Sequence, residues 1–61
     1  MFRFSVNVDG NPCAYFHTLK ASEKCANKIR NLWPSRNVTI SDYKSGERYA
    51  FDSQLGEFTL E

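Results

Sequence analysis

ASEKCANKIRNLW, residues Ala21–Trp33, is the one stretch of this chain with a helical period. Cys25, Ala26, Ile29, Leu32 and Trp33 recur at i, i+1, i+4, i+7 and i+8, the spacing of one side of a helix. Lys24, Asn27, Lys28, Arg30 and Asn31 take the other side. Pro34 ends the helix, because the residue before a proline is pushed out of the α region. Thr18 or Ser22 offers the side-chain oxygen that caps the first turn. Thr18 is the better choice, since it brings Leu19 and Ser22 into the inner stripe. A single amphipathic helix needs an apolar surface to cover, and the flanking segments must supply it.

Those segments read as strands. Phe2, Phe4, Val6 and Val8 alternate with Arg3, Ser5 and Asn7, which gives one dry face and one wet face. Asp9-Gly10 marks a hairpin, and its partner strand runs over Pro12–Thr18. A three-residue loop with Gly10 left-handed turns Ala14 and Phe16 inward, whereas a two-residue loop turns Cys13 and Tyr15 inward. The first is adopted because Phe16 is the better core residue. After the helix, Asn37–Tyr43 is a third strand with Val38 and Ile40 inward. Ser45-Gly46 then reads as a two-residue turn. That register sets Lys44 opposite Glu47, Ile40 opposite Phe51, Asp42 opposite Tyr49 and Arg48 opposite Tyr43. Asp52–Gly56 is a loop, and Phe58–Leu60 a short last strand. The expected fold is α+β, a single domain over residues 1–61 in the order β-β-α-β-β-β. One antiparallel sheet carries a single helix packed on one face.

Sixty-one residues bury only about 60% of their unfolded surface, which leaves little room for a deep pocket and its supporting shell. The net charge of +1 conceals a split. Residues 1–40 carry six cations against two anions, a net +4, and residues 41–61 two against five, a net −3. A solvated helix face beside an acidic tail accounts for this, and so does a dipolar surface that steers a charged partner. The near-zero total argues against a strong nucleic-acid binder. No apolar run approaches the ~20 residues of a membrane span, and no apolar leader is visible. The chain is therefore expected in the cytoplasm, its own or a host cell's, with Cys13 and Cys25 as reduced thiols.

No residue pattern carries catalysis or a cofactor. Cys13 and His17 lie i, i+4 on a strand, about 13 Å apart and beyond hydrogen-bond reach. Two cysteines and one histidine make no zinc spacing, and the carboxylates have no calcium-loop spacing. Cys25 on the apolar stripe reads as a small core residue. The expectation is thus a non-enzyme with no catalytic residue, no metal and no cofactor.

The outward sheet face is the candidate contact surface. By parity it collects Arg3, Ser5, Asn7, Cys13, Tyr15, His17, Thr39, Ser41, Tyr43 and Arg48. Tyr and Arg are favoured anchors at protein interfaces, while Tyr, His and Arg also stack on bases or contact phosphates. Arg3, Tyr15, His17, Tyr43 and Arg48 are the candidate binding residues on it. Trp33 is a further one, either capping the core edge or standing free as an anchor. A protein partner is expected, with nucleic acid as the alternative and no membrane.

Phe16-x-Thr18 leading into Ala21 and Cys25-Ala26, then Val38-Thr39-Ile40 and a glycine hairpin, resembles in plan the small single-helix inhibitors made by bacteriophages. Several anti-CRISPR proteins are among them. The resemblance covers size and element order, and it implies inhibition by protein–protein contact. A second resemblance in plan is to the arm-binding domain of tyrosine integrases, a three-stranded sheet that lays its face in the DNA groove.

Overall fold

The computed structural model describes residues 1–61. Its elements are β1 (Phe4–Val8), β2 (Asn11–Phe16), α1 (Leu19–Leu32), β3 (Val38–Asp42), β4 (Arg48–Asp52) and β5 (Glu57–Leu60). The strands form one antiparallel sheet in the order β2-β1-β3-β4-β5, and α1 packs across β1, β2 and β3. This is the expected α+β architecture.

The helix is bounded as the sequence predicts. Thr18 sits at the N-cap in an extended conformation, and its hydroxyl accepts from the Ala21 N–H at 3.2 Å. Ser22 is fully buried beneath the first turn, where its hydroxyl donates to the Thr18 carbonyl at 2.9 Å. Trp33, just before Pro34, closes the last turn through its N–H to Ile29. The buried stripe is narrower than the heptad spacing suggests. Ala26 and Ser22 are buried, Cys25 and Ile29 are half-buried, and Leu32 and Trp33 stand exposed.

Phe4, Val6, Val38, Ile40, Ala26 and Phe58 make the core, with Val8, Ala14, Phe16, Leu19, Ile29, Tyr49 and Phe51 packed around them. Phe16 is on the inner face as expected, but the route differs. Asp9 and Gly10 both have positive φ, 52° and 86°, and form a two-residue turn. Val8 opposes Asn11 and Asn7 opposes Pro12; the register then shifts by one so that Val6 opposes Ala14. The bulge restores the parity that a two-residue turn would have inverted. It falls beside Pro12, which has no N–H to place in a ladder, on an edge strand where such a residue is tolerated.

Two further expectations are corrected. The β3–β4 register is displaced by two residues: Ile40 opposes Tyr49, and Ser41 opposes Arg48. Lys44 and Glu47 therefore do not pair across strands. The cause is Asp42, whose Oδ1 accepts the N–H of Lys44 at 2.9 Å and of Ser45 at 3.4 Å. That side-chain cap builds a four-residue loop, Tyr43–Gly46, in place of a two-residue turn. The alternation of β1 also fails at its start. Arg3 lies in a bend, held by its N–H to Phe16 and its carbonyl to Tyr43. Phe2 is consequently not a core residue, and it lies with Tyr15 and Tyr43 on the other face.

Both cysteines are free. Cys13 is exposed on β2, whereas partial burial of Cys25 between α1 and the core pushes its thiol up from its ordinary range. Because the thiolate is the nucleophile, alkylation of the native protein should label Cys13 first. Mass mapping should find Cys25 lagging until denaturant is added. Equal rates would place Cys25 at the surface.

Candidate functional site

The sheet face opposite the helix has no element packed on it, yet its middle is not solvated. Ser5, Asn7 and Thr39, all on the central strands, are buried. Short side chains there are hidden by their larger neighbours and by one another. The Ser5 hydroxyl donates to Asn7 Oδ1 at 3.0 Å. Asn7 Nδ2 donates to Ser41 Oγ at 2.8 Å, with Thr39 Oγ1 farther off at 3.4 Å. Tyr43 Oη lies 3.1 Å from Ser5 Oγ. The single Ser5 proton is already directed at Asn7, so Tyr43 is the donor of that bond. No buried side-chain polar atom is left without a partner. The network gives the face a neutral, rigid floor.

Three aromatic rings stand at one corner of that floor. Phe2 and Tyr15 have ring centroids 4.2 Å apart, and Phe2 and Tyr43 meet edge-on at 5.5 Å. Each ring remains substantially exposed, Phe2 at 42%, Tyr15 at 50% and Tyr43 at 57%. Met1 is fully exposed beside them, and a shallow hollow is lined by Met1, Phe2, Arg3, Tyr43 and Lys44. Tyr15 is placed by β2, Tyr43 by the Asp42-capped loop, and Phe2 by the bend at Arg3. Aromatic pairs of this kind hold their geometry without help from a partner.

Of the residues expected to line a contact surface, the structure brings together Tyr15 and Tyr43. Arg3 lines the hollow beside Phe2 and Tyr43, but its guanidinium is engaged elsewhere. Its Nε and Nη2 reach the two carboxylate oxygens of Asp42 at 3.0 and 2.9 Å, and its guanidinium lies 4.9 Å from the Phe4 ring centroid. Asp42 shares the inward parity of Ile40 and is only 3% exposed, so this fork closes the rim of the core. The Arg3 hydrogen bonds hold the Asp42 carboxyl well below the usual carboxylate range. Arg48 faces outward beside Ser41, two residues along the strand from the position expected opposite Tyr43, and pairs with Glu61 at 3.3 Å. His17 is exposed just past the end of β2, with no hydrogen bond from its ring. Trp33 is 55% exposed at the end of the helix, on the other side of the sheet from the aromatic corner.

Phe2 is the residue that sequence reasoning missed. Its alternation with Phe4 signals a core position, and the long-range bonds that hold the bend at Arg3, to Phe16, Tyr43 and Asp42, redirect it. No group of three or more His, Cys, Asp or Glu side chains is arranged to hold a metal ion. No helix is long and apolar enough to cross a membrane. No family model matches the chain, and neither a curated protein nor a solved structure is significantly similar to it.

Proposed function

We propose that this chain is a small non-enzymatic binding protein that acts by protein–protein contact through the Phe2–Tyr15–Tyr43 corner, and that an inhibitor carried by a phage or mobile element is its concrete form. The observation that carries this reading is the corner itself: three exposed rings, with Phe2 in contact with both Tyr15 and Tyr43, above a satisfied polar network. Large rigid aromatic side chains with little entropy left to lose are what interface hot spots are made of.

The test is affinity capture from a host lysate with nuclease treatment, followed by binding to the captured protein. Tyr15→Ala and Tyr43→Ala should each weaken binding by on the order of 2 kcal/mol, roughly thirtyfold, the scale of an interface hot spot. Tyr15 makes no side-chain hydrogen bond and Tyr43 only the one to Ser5, so both variants should melt close to wild type. Normal binding by both, with loss in Trp33→Ala, would move the contact to the end of the helix.

One observation favours a second reading. Three of the four arginines pair with carboxylates, whereas Lys20, Lys24 and Lys28 form one exposed stripe of α1 with no ion pair. Like charges at i, i+4 cost a helix a few tenths of a kcal/mol per pair, and a polyanion would offset that. If nucleic acid is the partner, these three lysines give a log–log salt slope near −3 on duplex DNA. That slope, with binding unaffected by Tyr43→Ala, would sink the protein-partner reading.

A further inference from the structure

A cleft of about 180 Å³ opens where the end of α1 meets β3 and β4, lined by Arg30, Pro34, Arg36, Asn37, Val38, Ala50 and Phe51. It lies apart from the aromatic corner, and none of its lining residues is a carboxylate. Two guanidiniums reach it, and each is braced from behind. The Arg30 guanidinium lies over the Phe51 ring, 3.2 Å from the centroid, and its Nη1 donates to Asn27 Oδ1 at 3.1 Å. Phe51 is in turn fixed edge-on by Phe58 at 5.4 Å. Arg36 Nη1 donates to Asp9 Oδ2 at 2.8 Å, and the other oxygen of Asp9 takes the Asn37 N–H at 3.0 Å. Those two bonds hold the Asp9 carboxyl below its ordinary range, the Asn37 N–H more strongly than Arg36. Asp9 is itself set by the tight β1–β2 turn.

Each bracing bond uses one Nη1 and leaves Nε and Nη2 of both arginines without an acceptor in the protein. The side-chain amide of Asn37 is unengaged as well. Arg30 is the one arginine with no carboxylate partner, although it sits in the last helical turn beside half-buried apolar surface. Planar forks held at fixed orientation, with open donor edges, match the geometry of a carboxylate or phosphate. Pro34, Val38 and Phe51 supply an apolar wall that lowers the local dielectric and strengthens such bonds.

We propose that this cleft is an oxyanion-binding site, which takes one carboxylate or phosphate group between the Arg30 and Arg36 forks with Asn37 as a third donor. Its size suits a single small anion or the anionic end of a ligand rather than a whole drug-sized molecule. The site is prepared in advance, since the bracing contacts that orient the forks are already made.

The experiment is a nitrogen-detected titration of the full chain with inorganic phosphate and, separately, with acetate. Sodium chloride keeps the ionic strength constant in both. The expected result is a saturable shift of the Arg30 and Arg36 Nε–H signals and of the Asn37 side-chain amide, in at least one arm. Saturation with phosphate alone assigns a tetrahedral oxyanion, and saturation with acetate alone a carboxylate. Arg30→Lys and Arg36→Lys keep the charge but lose the fork, and each should weaken binding at least tenfold. Should Arg30→Lys disturb the fold through Phe51, Arg36→Lys decides, because its charge still reaches Asp9. No saturation in either arm, equal shifts with chloride alone, or full affinity in the folded lysine variants would overturn the proposal.

Discussion

Ile40→Ala unfolds this domain. Ile40 is fully buried at the middle of the central strand β3, between Val6 on β1 and Tyr49 on β4, beneath the helix. Truncating a buried Ile to Ala costs about 2–5 kcal/mol, through lost transfer energy and the cavity left behind. A chain of sixty-one residues has roughly 3–9 kcal/mol of stability to lose, by the usual per-residue range. The site cannot collapse to fill the gap, because Ile40 is hydrogen-bonded into strands on both sides. The upper part of the range therefore applies. Thermal and urea melts should show little or no folded baseline for Ile40→Ala. Ile40→Val, which removes one methylene, should cost about 0.5–1.5 kcal/mol and stay folded. Ile29→Ala should fall between them, since Ile29 is only half-buried. Lys28→Ala, on the exposed helix face, should stay within about 0.5 kcal/mol. A loss below about 2 kcal/mol for Ile40→Ala would mean that the core is centred elsewhere.

The helix was legible in the sequence because its determinants are local. Thr18, the apolar stripe and Pro34 act within a few residues of one another, and the observed limits follow from them. Strand identity was legible for the same reason, and so was the inward set Phe4, Val6, Val38 and Ile40. Register was less so, because it depends on where a side chain finds a hydrogen bond. Ser45-Gly46 looks like a two-residue turn until Asp42 is seen to cap the N–H groups of Lys44 and Ser45. In β2 the bulge at Pro12 produced the expected inward Phe16 by a different geometry. The candidate contact surface was half legible. Parity places Tyr43 outward, and it places Tyr15 outward once Phe16 is chosen as the core residue of the second strand. Phe2 joins them because the bend at Arg3 is tied by backbone bonds to Phe16 and Tyr43 and by its side chain to a carboxylate thirty-nine positions away, and no period in the sequence carries that information. Arg30 has the same character. On a helical wheel it belongs to the polar side, and its stacking on Phe51 exists only once β4 has taken its place beside β3.

The Arg3–Asp42 fork also determines how the fold responds to acid. Asp42 is buried, its carboxylate takes two bonds from Arg3 and two backbone N–H groups, and its folded pKa is depressed. A carboxylate with a depressed folded pKa stabilises the fold fully above its unfolded pKa, about 4, and loses that contribution as pH falls toward the folded value. Asp9, lowered by the Asn37 N–H and Arg36, acts in the same direction. Wild-type melting temperature should therefore be flat between about pH 5 and 8 and fall steeply below about pH 4. Asp42→Asn keeps one oxygen for the loop N–H groups but cannot accept the Arg3 fork as an anion. It should melt well below wild type at neutral pH and show a shallower acid limb. Arg3→Leu is the sharper test, because it leaves the Asp42 charge beside the core without its cation. Stranding a buried charge is worse than removing both partners. In that variant the Asp42 pKa rises from its depressed value, because the Arg3 hydrogen bonds are the largest cause of the depression and only the Lys44 and Ser45 donors remain to oppose burial. Arg3→Leu should be destabilised at neutral pH and should lose less than wild type on acidification, because less of its stability rests on a depressed Asp42 pKa. Parallel acid limbs for wild type and Arg3→Leu would show that Asp42 does not govern the acid response. The hold of Arg3 on the N-terminal bend, and with it the placement of Phe2 against Tyr15 and Tyr43, would then have to come from the backbone bonds of Arg3 alone.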